Sequence, residues 1–388
     1  MRSKTSYFNR TIFIKTMVRF WPLWAAYFAV WLLCVPLPIV ANLRYYTNAE
    51  AYFAAGYMAN MRSLVFQVAT LGGTVIGMIT AALSAMAVWS FLYSARSISG
   101  MASLPVSREG VFFSVTLAGI VPVLAANVLI VLCTLAVSLA GGLMDAAALF
   151  QWLAVVSLIY VFFYGFAVFC AQLTGNVLIL PAVYVVLNMV VYVVWAMVDA
   201  LCSIFIYGMD GAIRLGEPAK VLSPPVKLWQ GGVDAIERIE AWDAEEGVLR
   251  TVSYALHGWG MYAAYALAGL VFAALALWLY KKRRMESAGD TVAVEVLKPV
   301  FKYCMALGGA LVLSLLVYSI IEDIVGERMK GAIITLLVMF LGAFVGWTAA
   351  KMLIHKSFRV WKRDWLGLGI CCAVAAVFMM GMECDLVG

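Results

Sequence analysis

Charged side chains are scarce in this sequence. Only 12% of its 388 residues are Asp, Glu, Lys or Arg, whereas 65% are hydrophobic, and the mean hydropathy is +0.97. A water-soluble protein of this length carries roughly a quarter of charged residues, because they cover its surface. The composition therefore excludes a soluble globular fold and predicts an all-α polytopic membrane protein.

Motifs for catalysis and nucleotide binding are missing as well. No Gly-Lys pair occurs, so the chain has no P-loop of the G-x-x-x-x-G-K-[ST] type. The two histidines, His257 and His355, stand far apart, and the eight cysteines form no C-x-x-C pair, which argues against a metal site or a disulfide framework. The net charge of +6 is dispersed rather than clustered on a soluble face, which argues against nucleic-acid binding. We expect no enzyme activity and no cofactor in this chain, so energy from ATP would need a partner.

Long charge-free runs mark the membrane-spanning helices, because about 20 apolar residues cross the bilayer at 1.5 Å per residue. The run 146–198 contains 53 uncharged residues, too many for one crossing. We expect two spans there, joined by a turn at Thr174-Gly175-Asn176, with Pro181 tolerated in the first turn of the second span. The sequence predicts nine spans, at 20–40, 64–93, 111–139, two within 146–198, 254–280, 303–321, 331–350 and 365–382.

The distribution of Lys and Arg predicts the orientation of these spans. With the N-terminus in the cytoplasm, 18 of the 27 basic residues fall in inner segments, including the cluster at 281–284. We therefore predict a multi-pass protein of the cell membrane with its N-terminus inside and its C-terminus outside. The 281–284 cluster is also expected to attract anionic membrane lipid.

Two loops are long enough to carry a function. The outer loop 208–253 contains L-S-P-P at 222–225, which indicates a turn, followed by apolar residues among acids that predict a short amphipathic helix ended by Gly247. Those apolar residues are Val233, Ile236, Ile239 and Trp242. In the inner loop 94–110, Pro105 interrupts any helix, and Ser107 is predicted to cap the third span with Glu109 in its first turn.

Few polar residues lie inside the spans. Asp199 is the one clear acidic candidate for an ion-binding group, and two placements remain open for it. It either ends the fifth span at the outer interface or lies where the chain dips back into the membrane. Asn127 and Asn188 are interpreted as hydrogen-bonding contacts between helices. The G-x-x-x-G pairs at 73–77 and 342–346 are interpreted as close-packing faces.

Four segments carry a family resemblance. The stretch S-L-P-V-S-R-E at 103–109 resembles the S-L-P-x-x-R-E segment of permease subunits of bacterial ATP-binding-cassette (ABC) exporters, in their type-2 class. Three further segments are similar to Firmicutes members of that class, often described as multidrug or peptide-antibiotic transporters. They are N-R-T-I-F-I-K-T-M-V-R-F-W-P-L-W at 9–24, L-S-P-P at 222–225 and R-R-M-E-S-A-G-D at 283–290.

The resemblance implies a domain organisation and a set of partners. Residues 1–281 would form a six-helix permease core with a re-entrant outer hairpin at 199–211, and 282–388 would add three helices, ending before the outer domain present in relatives. A cytoplasmic ABC ATPase subunit would contact a coupling loop formed by Ser103, Leu104, Pro105, Arg108 and Glu109. A second permease copy or homologue would complete the pathway as a dimer.

The implied function is export of an amphiphilic or peptide substrate by alternating access, driven by ATP that the separate subunit hydrolyses. Two other functions remain open at this point. The chain could be a non-transporting membrane sensor or scaffold subunit whose outer loop and extra helices bind a ligand or partner. It could also be an ion-coupled secondary carrier, for which Asp199 would be the proton site.

Overall fold

The computed structural model describes residues 7–46, 51–140, 145–205, 216–243, 248–283, 297–325, 328–355 and 365–383. A π-helical turn at Val68–Gly72 and a 3₁₀ turn at Ser90–Tyr93 interrupt the regular helices. The described elements are α1 (Arg10–Arg19), α2 (Trp21–Cys34), α3 (Pro36–Tyr46), α4 (Ala51–Gln67), α5 (Gly73–Val88), α6 (Ala95–Ala102), α7 (Arg108–Ala140), α8 (Ala146–Leu173), α9 (Ile179–Phe205), α10 (Gly216–Val221), α11 (Pro224–Asp234), β1 (Ile236–Asp243), β2 (Val248–Leu256), α12 (Trp259–Lys282), α13 (Leu297–Val325), α14 (Arg328–His355) and α15 (Leu366–Glu383).

Eight helical stretches of the described chain are long and apolar enough to cross a membrane. A ninth apolar helix, α15, is shorter, with its apolar part at Leu366–Gly381. These findings confirm an all-α polytopic membrane protein of about nine helices. The eight stretches are Trp21–Ala41, Met58–Val88, Arg108–Ala140, Ala146–Leu173, Ile179–Ile204, Trp259–Lys282, Phe301–Tyr318 and Ile333–Ile354.

The chain divides into two compact units. Unit 1 consists of Met1–Val185 and Pro224–Gly289, and unit 2 consists of Val186–Ser223 and Asp290–Gly388. Helix α9 contributes its first part to unit 1 and the rest to unit 2. The division at 281 and 282 rests on the family resemblance and stays a prediction.

Helix α8 is the centre of unit 1, and it packs against α5, α7 and α12. Its crossing with α12 is the closest in this unit, because a Cβ added at Gly165 would lie 2.1 Å from the carbonyl oxygen of Gly269. Aromatic rings line the same crossing, with ring centroids 4.8 Å apart for Phe166 and Phe272. The two helices therefore touch through their backbones, flanked by rings.

A buried polar network joins three helices of unit 1 around Asn127, which is fully buried. The Tyr27 hydroxyl on α2 donates to Asn127 Oδ1 at 2.7 Å, and Asn127 Nδ2 donates to Ser157 Oγ on α8 at 3.2 Å. In a bilayer, interhelical hydrogen bonds of this kind replace the water that the side chains would otherwise bind. The predicted role of Asn127 as a contact between helices is confirmed.

A second set of tyrosines lies beside a proline inside α7. Pro122 cannot donate a backbone hydrogen bond, which weakens the helix just before it. On α8, the hydroxyl of Tyr160 donates to the Gly119 carbonyl at 2.9 Å, and that of Tyr164 donates to the Thr116 carbonyl at 3.0 Å. Side chains of a neighbouring helix thus bind carbonyls on the N-terminal side of the proline.

In unit 2, α13 and α14 form an antiparallel pair held together by glycines. A Cβ at Gly342 would lie 2.3 Å from the carbonyl oxygen of Gly309, and one at Gly346 would lie 2.0 Å from that of Met305. The predicted close-packing face at 342–346 is confirmed. The face at 73–77 in unit 1 is less tight, since the atoms of α8 nearest to a Cβ at Gly73 or Gly77 are side-chain atoms, each at 3.4 Å.

The loop 208–253, predicted to lie outside, differs in structure from the sequence prediction. The helix α11 ends at Asp234, and 236–243 and 248–256 form an antiparallel pair of strands in which Ile236 pairs with Leu256 and Asp243 with Val248. The amphipathic helix predicted through Ile239 and Trp242 is therefore wrong, and the sixth membrane helix begins at Trp259 rather than at 254. The physical reason is the segment V-L-R-T-V-S-Y-A-L at 248–256, whose β-branched and aromatic residues supply a partner strand. Gly247 lies outside the described residues.

Candidate functional site

The segment before α7, which the sequence predicts to be an inner loop, forms an elbow that we define as residues 95–110. Helix α6 ends at Ala102, a turn follows, and α7 begins at Arg108. The backbone N–H of Gly110 donates to Ser107 Oγ at 3.1 Å, which is the N-cap that the sequence predicts. Glu109 lies in the first turn of α7, where a carboxylate is favoured by the helix dipole.

One side of the elbow packs against the hydrophobic core of unit 1, and the other side is exposed. Ile98 is buried, and Met101 and Val106 pack against the hydrophobic core of the unit. Between them, Leu104 is 41% exposed, and Ser103 and Pro105 are exposed on either side of it. The tip of the elbow is therefore an apolar surface, held in place by buried neighbours.

The base of the elbow is tied to the end of α12. Arg108 Nη1 donates to the backbone carbonyl of Lys281 at 3.0 Å, and the Lys281 ammonium group forms an ion pair with Glu109. An exposed ion pair of this kind contributes at most about 1 kcal/mol to stability. The two contacts use one partner residue, however, so they fix the first turn of α7 to the last turn of α12.

Arg283 extends this connection to α8. Its Nη1 donates to the carbonyls of Ala171 at 3.1 Å and Gln172 at 3.3 Å. These carbonyls lie in the last turn of α8, where no backbone N–H of the same helix is available to them. The Tyr93 hydroxyl also donates to Ala171 O, at 3.4 Å. Burial lowers the pKa of Arg283 and raises the pKa of Tyr93 to about 12. At neutral pH the guanidinium is charged and the phenol is protonated, as these hydrogen bonds require.

The elbow shares its face of unit 1 with the turn between α8 and α9. Helix α8 ends at Leu173 and α9 begins at Ile179, which confirms the predicted division of the 146–198 run. Leu178, in this turn, is 76% exposed. The contacts of Tyr93 and Arg283 with the end of α8 place this turn beside the base of the elbow.

The opposite ends of the same helices meet at a second polar cluster. Arg62 Nε lies 3.5 Å from Asp145 Oδ2, and Arg62 Nη1 donates to Ser253 Oγ in β2 at 3.3 Å. Asp145 also caps α8 by accepting from the backbone N–H of Ala148 at 3.1 Å. The two clusters mark opposite faces of unit 1, in agreement with the alternation of spans in the sequence.

The predicted coupling residues thus separate into two groups. Ser103, Leu104 and Pro105 form the exposed tip, whereas Arg108 and Glu109 serve the base by binding Lys281. The sequence drew attention to Lys281 only as part of a basic cluster. Its role as the partner of the elbow depends on a contact between residues more than 170 positions apart in sequence.

Asp199 lies inside α9, six residues before the last helical residue Phe205. The predicted hairpin at 199–211 is therefore helical in its first part, and 206–211 lies outside the described residues. Asp199 belongs to unit 2, whereas the elbow belongs to unit 1.

A π-helical turn at Val68–Gly72 was not predicted. Turns of this type widen a helix locally and occur frequently at functional sites. Helix α11 packs against it, and a Cβ at Gly232 would lie 2.8 Å from Thr70 Cβ. The adjacent glycines Gly72 and Gly73 are the local feature of the sequence that could have indicated an irregular helix here.

No protein-family model, curated protein or solved structure matches this chain. The resemblance to exporter permeases is therefore taken up below as a proposal, on the strength of the residues themselves.

Proposed function

We propose that this chain is the membrane-spanning permease subunit of an ABC exporter, and that a separate cytoplasmic ATPase subunit binds its elbow. The observation that carries the proposal is the construction of the elbow. Its tip at Leu104 and Pro105 is exposed and apolar, while its base is fixed to the ends of two membrane helices. Such a segment is suited to receive a force from a partner and to pass it to the membrane helices.

The transmission would run through contacts between named groups. Movement of the tip would pull on Arg108 and Glu109, which bind Lys281 at the end of α12. Because α12 touches α8 backbone to backbone at Gly165 and Gly269, the three helices α7, α8 and α12 would tilt together. In a dimer of two permease subunits, that tilt would open the pathway for an amphiphilic or peptide substrate alternately to each side.

The charge of the elbow face supports a cytoplasmic location for it. Five basic residues lie on or beside this face, and the positive-inside rule places such ends in the cytoplasm. The proposed orientation in the cell membrane therefore has the N-terminus inside. The five residues are Arg96, Arg108, Lys281, Lys282 and Arg283.

The test is association with a Walker-motif ATPase encoded beside this gene. The two proteins are coexpressed and copurified, and ATP hydrolysis is measured after reconstitution. We expect Leu104→Asp to lower copurification about tenfold or more, because the new carboxylate would be buried in an apolar contact without a partner. Leu178→Asp is the matched control, since it makes the same change on the same face outside the elbow. Equal losses in both variants, or none in either, would refute the elbow as the docking site.

The role of the base is tested by Glu109→Gln. This variant removes the ion pair with Lys281 but leaves the exposed tip unchanged. We expect copurification to persist while substrate-stimulated hydrolysis falls. A subunit that binds the ATPase yet never shows stimulation by amphiphilic or peptide substrates would instead be a non-transporting scaffold.

A further inference from the structure

Strand β1 has an open edge. Among the described residues its sheet consists of β1 and β2 alone, and helix α4 packs mainly against β2. The residues at 237–242 of β1 are all exposed. Because successive side chains of a strand point to opposite faces, the described chain covers neither face of this part of β1. An exposed edge strand offers its backbone N–H and C=O groups to a further strand.

The hydrogen bonds to β2 determine which residues of β1 face the open edge. The backbone N–H of His257 donates to the carbonyl of Ala235 at 2.8 Å, so Ala235, directly before β1, faces β2. The bulge in the sheet leaves β1 regular, because the residue without a partner is Val252 of β2. Neighbouring residues along a strand direct their backbone groups to opposite sides. The residues that face the open edge are therefore Ile236, Arg238, Glu240 and Trp242.

The sequence of β1 is complementary to itself in one antiparallel register. When β1 of a second copy pairs with this edge and the register is centred on Ile239, Arg238 of each chain lies opposite Glu240 of the other. The same register places Ile236 opposite Trp242. A register centred on Arg238 would bring two arginines together, and one centred on Glu240 would bring two glutamates together. Like charges directly opposite each other destabilise a strand pair, so the charges select the register centred on Ile239 over its neighbours.

Pairing of two copies would also cover apolar side chains, since Trp242 is 65% exposed and Ile239 is 43% exposed. Within one chain, Arg238 Nε already lies 2.9 Å from Glu240 Oε1, so both charges are on one face and can meet their counterparts there. We propose that β1 pairs with β1 of a second copy of this chain, antiparallel and centred on Ile239. This contact is independent of the elbow and of the ATPase, so either proposal can fail without the other.

The first test is disulfide cross-linking of the full chain in membranes. In the proposed register the two copies of residue 239 form a non-hydrogen-bonded pair with Cα atoms about 4.5 Å apart, within the range of a disulfide. We expect Ile239→Cys to give a dimer of doubled mass on mild oxidation. The matched control is Ala241→Cys, which lies on the same face but opposite residue 237 of the other copy, so its two thiols stay apart.

The parent chain reports cross-linking through the native cysteines. Equal dimer formation by Ile239→Cys and Ala241→Cys, or none by Ile239→Cys, would overturn the proposal. A disulfide between Ile239→Cys and a different protein would overturn the second copy as the partner of this edge.

The second test exchanges charges, with Arg238→Glu and Glu240→Arg each combined with Ile239→Cys. Either variant alone places like charges opposite each other across the two copies and should lower cross-linking about fivefold. When the two variants are coexpressed with different tags, unlike charges face each other again, and mixed dimers should form as readily as with Ile239→Cys alone. Each chain keeps its own like charges in the mixture, so this recovery cannot come from repair within one chain. Mixed dimers no more frequent than dimers of either variant would refute the pairing.

Discussion

The crossing of α8 and α12 allows a sharp test of the packing of unit 1. A Cβ introduced by Gly269→Ala would lie 2.5 Å from Phe162 Cα and 2.8 Å from the Val161 carbonyl oxygen. Both are backbone atoms, so no side chain can rotate away to make room. To reach an ordinary contact of 3.4 Å to Phe162 Cα, the helices must separate by about 0.9 Å. This separation would also loosen the ring contact between Phe162 and Tyr265, whose centroids are 5.2 Å apart.

We expect Gly269→Ala to destabilise the protein by about 1–3 kcal/mol, the usual cost of one methyl group too many in a packed interior. The assay is thermal unfolding of the purified chain in detergent, followed by its tryptophan fluorescence. Gly260→Ala is the control, because it makes the same change in the same helix where a Cβ meets nothing within 4 Å. If the two variants unfold at the same temperature as the parent, the backbone contact is not present in the folded protein.

Three further predictions concern unit 2, the tyrosines and the orientation. Gly346→Ala should destabilise the α13–α14 pair in the same unfolding assay, while Gly308→Ala, with open space at its Cβ, should not. Tyr160→Phe loses the hydrogen bond to α7 and should lower the free energy of unfolding by about 1 kcal/mol. Its control, Tyr262→Phe, removes a buried hydroxyl without a partner among the described residues and should be neutral or stabilising. A larger loss of stability in Tyr262→Phe than in Tyr160→Phe would contradict the hydrogen bond between α8 and α7. Ser103→Cys should react with a membrane-impermeant maleimide only from the cytoplasmic side, compared with the parent and its native cysteines. Reaction from outside would reject the orientation and the ATPase contact.

The membrane helices could be predicted from the sequence because the bilayer leaves few choices. Inside it, every backbone polar group must bond within the chain, so an apolar run of sufficient length becomes a helix. The division of 146–198 followed from length alone, and the turn at Thr174 confirmed it. The cap at Ser107 was also predictable, since it depends on residues only three positions apart.

Contacts between distant segments could not be predicted in the same way. The spacing of Ile236, Ile239 and Trp242 fits a helix, and only the pairing with 248–256 turns it into a strand. Neither Gly165 nor Gly269 has another glycine within four positions, so neither forms a G-x-x-x-G motif that would reveal the crossing.

The sequence indicated Arg108, Glu109 and Leu104 together as candidate coupling residues. That Arg108 and Glu109 form the base of the elbow and Leu104 its exposed tip depends on the contacts with Lys281, which the sequence does not reveal.

The enclosure of α8 has a consequence for how this protein can evolve. In its membrane-spanning window, 67% of the residues are buried inside the protein, against 22% for α12. Fluid acyl chains adapt to almost any apolar side chain, but neighbouring helices do not, so each change of volume on α8 must be matched elsewhere. In a library of random variants, we expect hydrophobic exchanges to be accepted freely along the outward flank of α12 and rarely along α8.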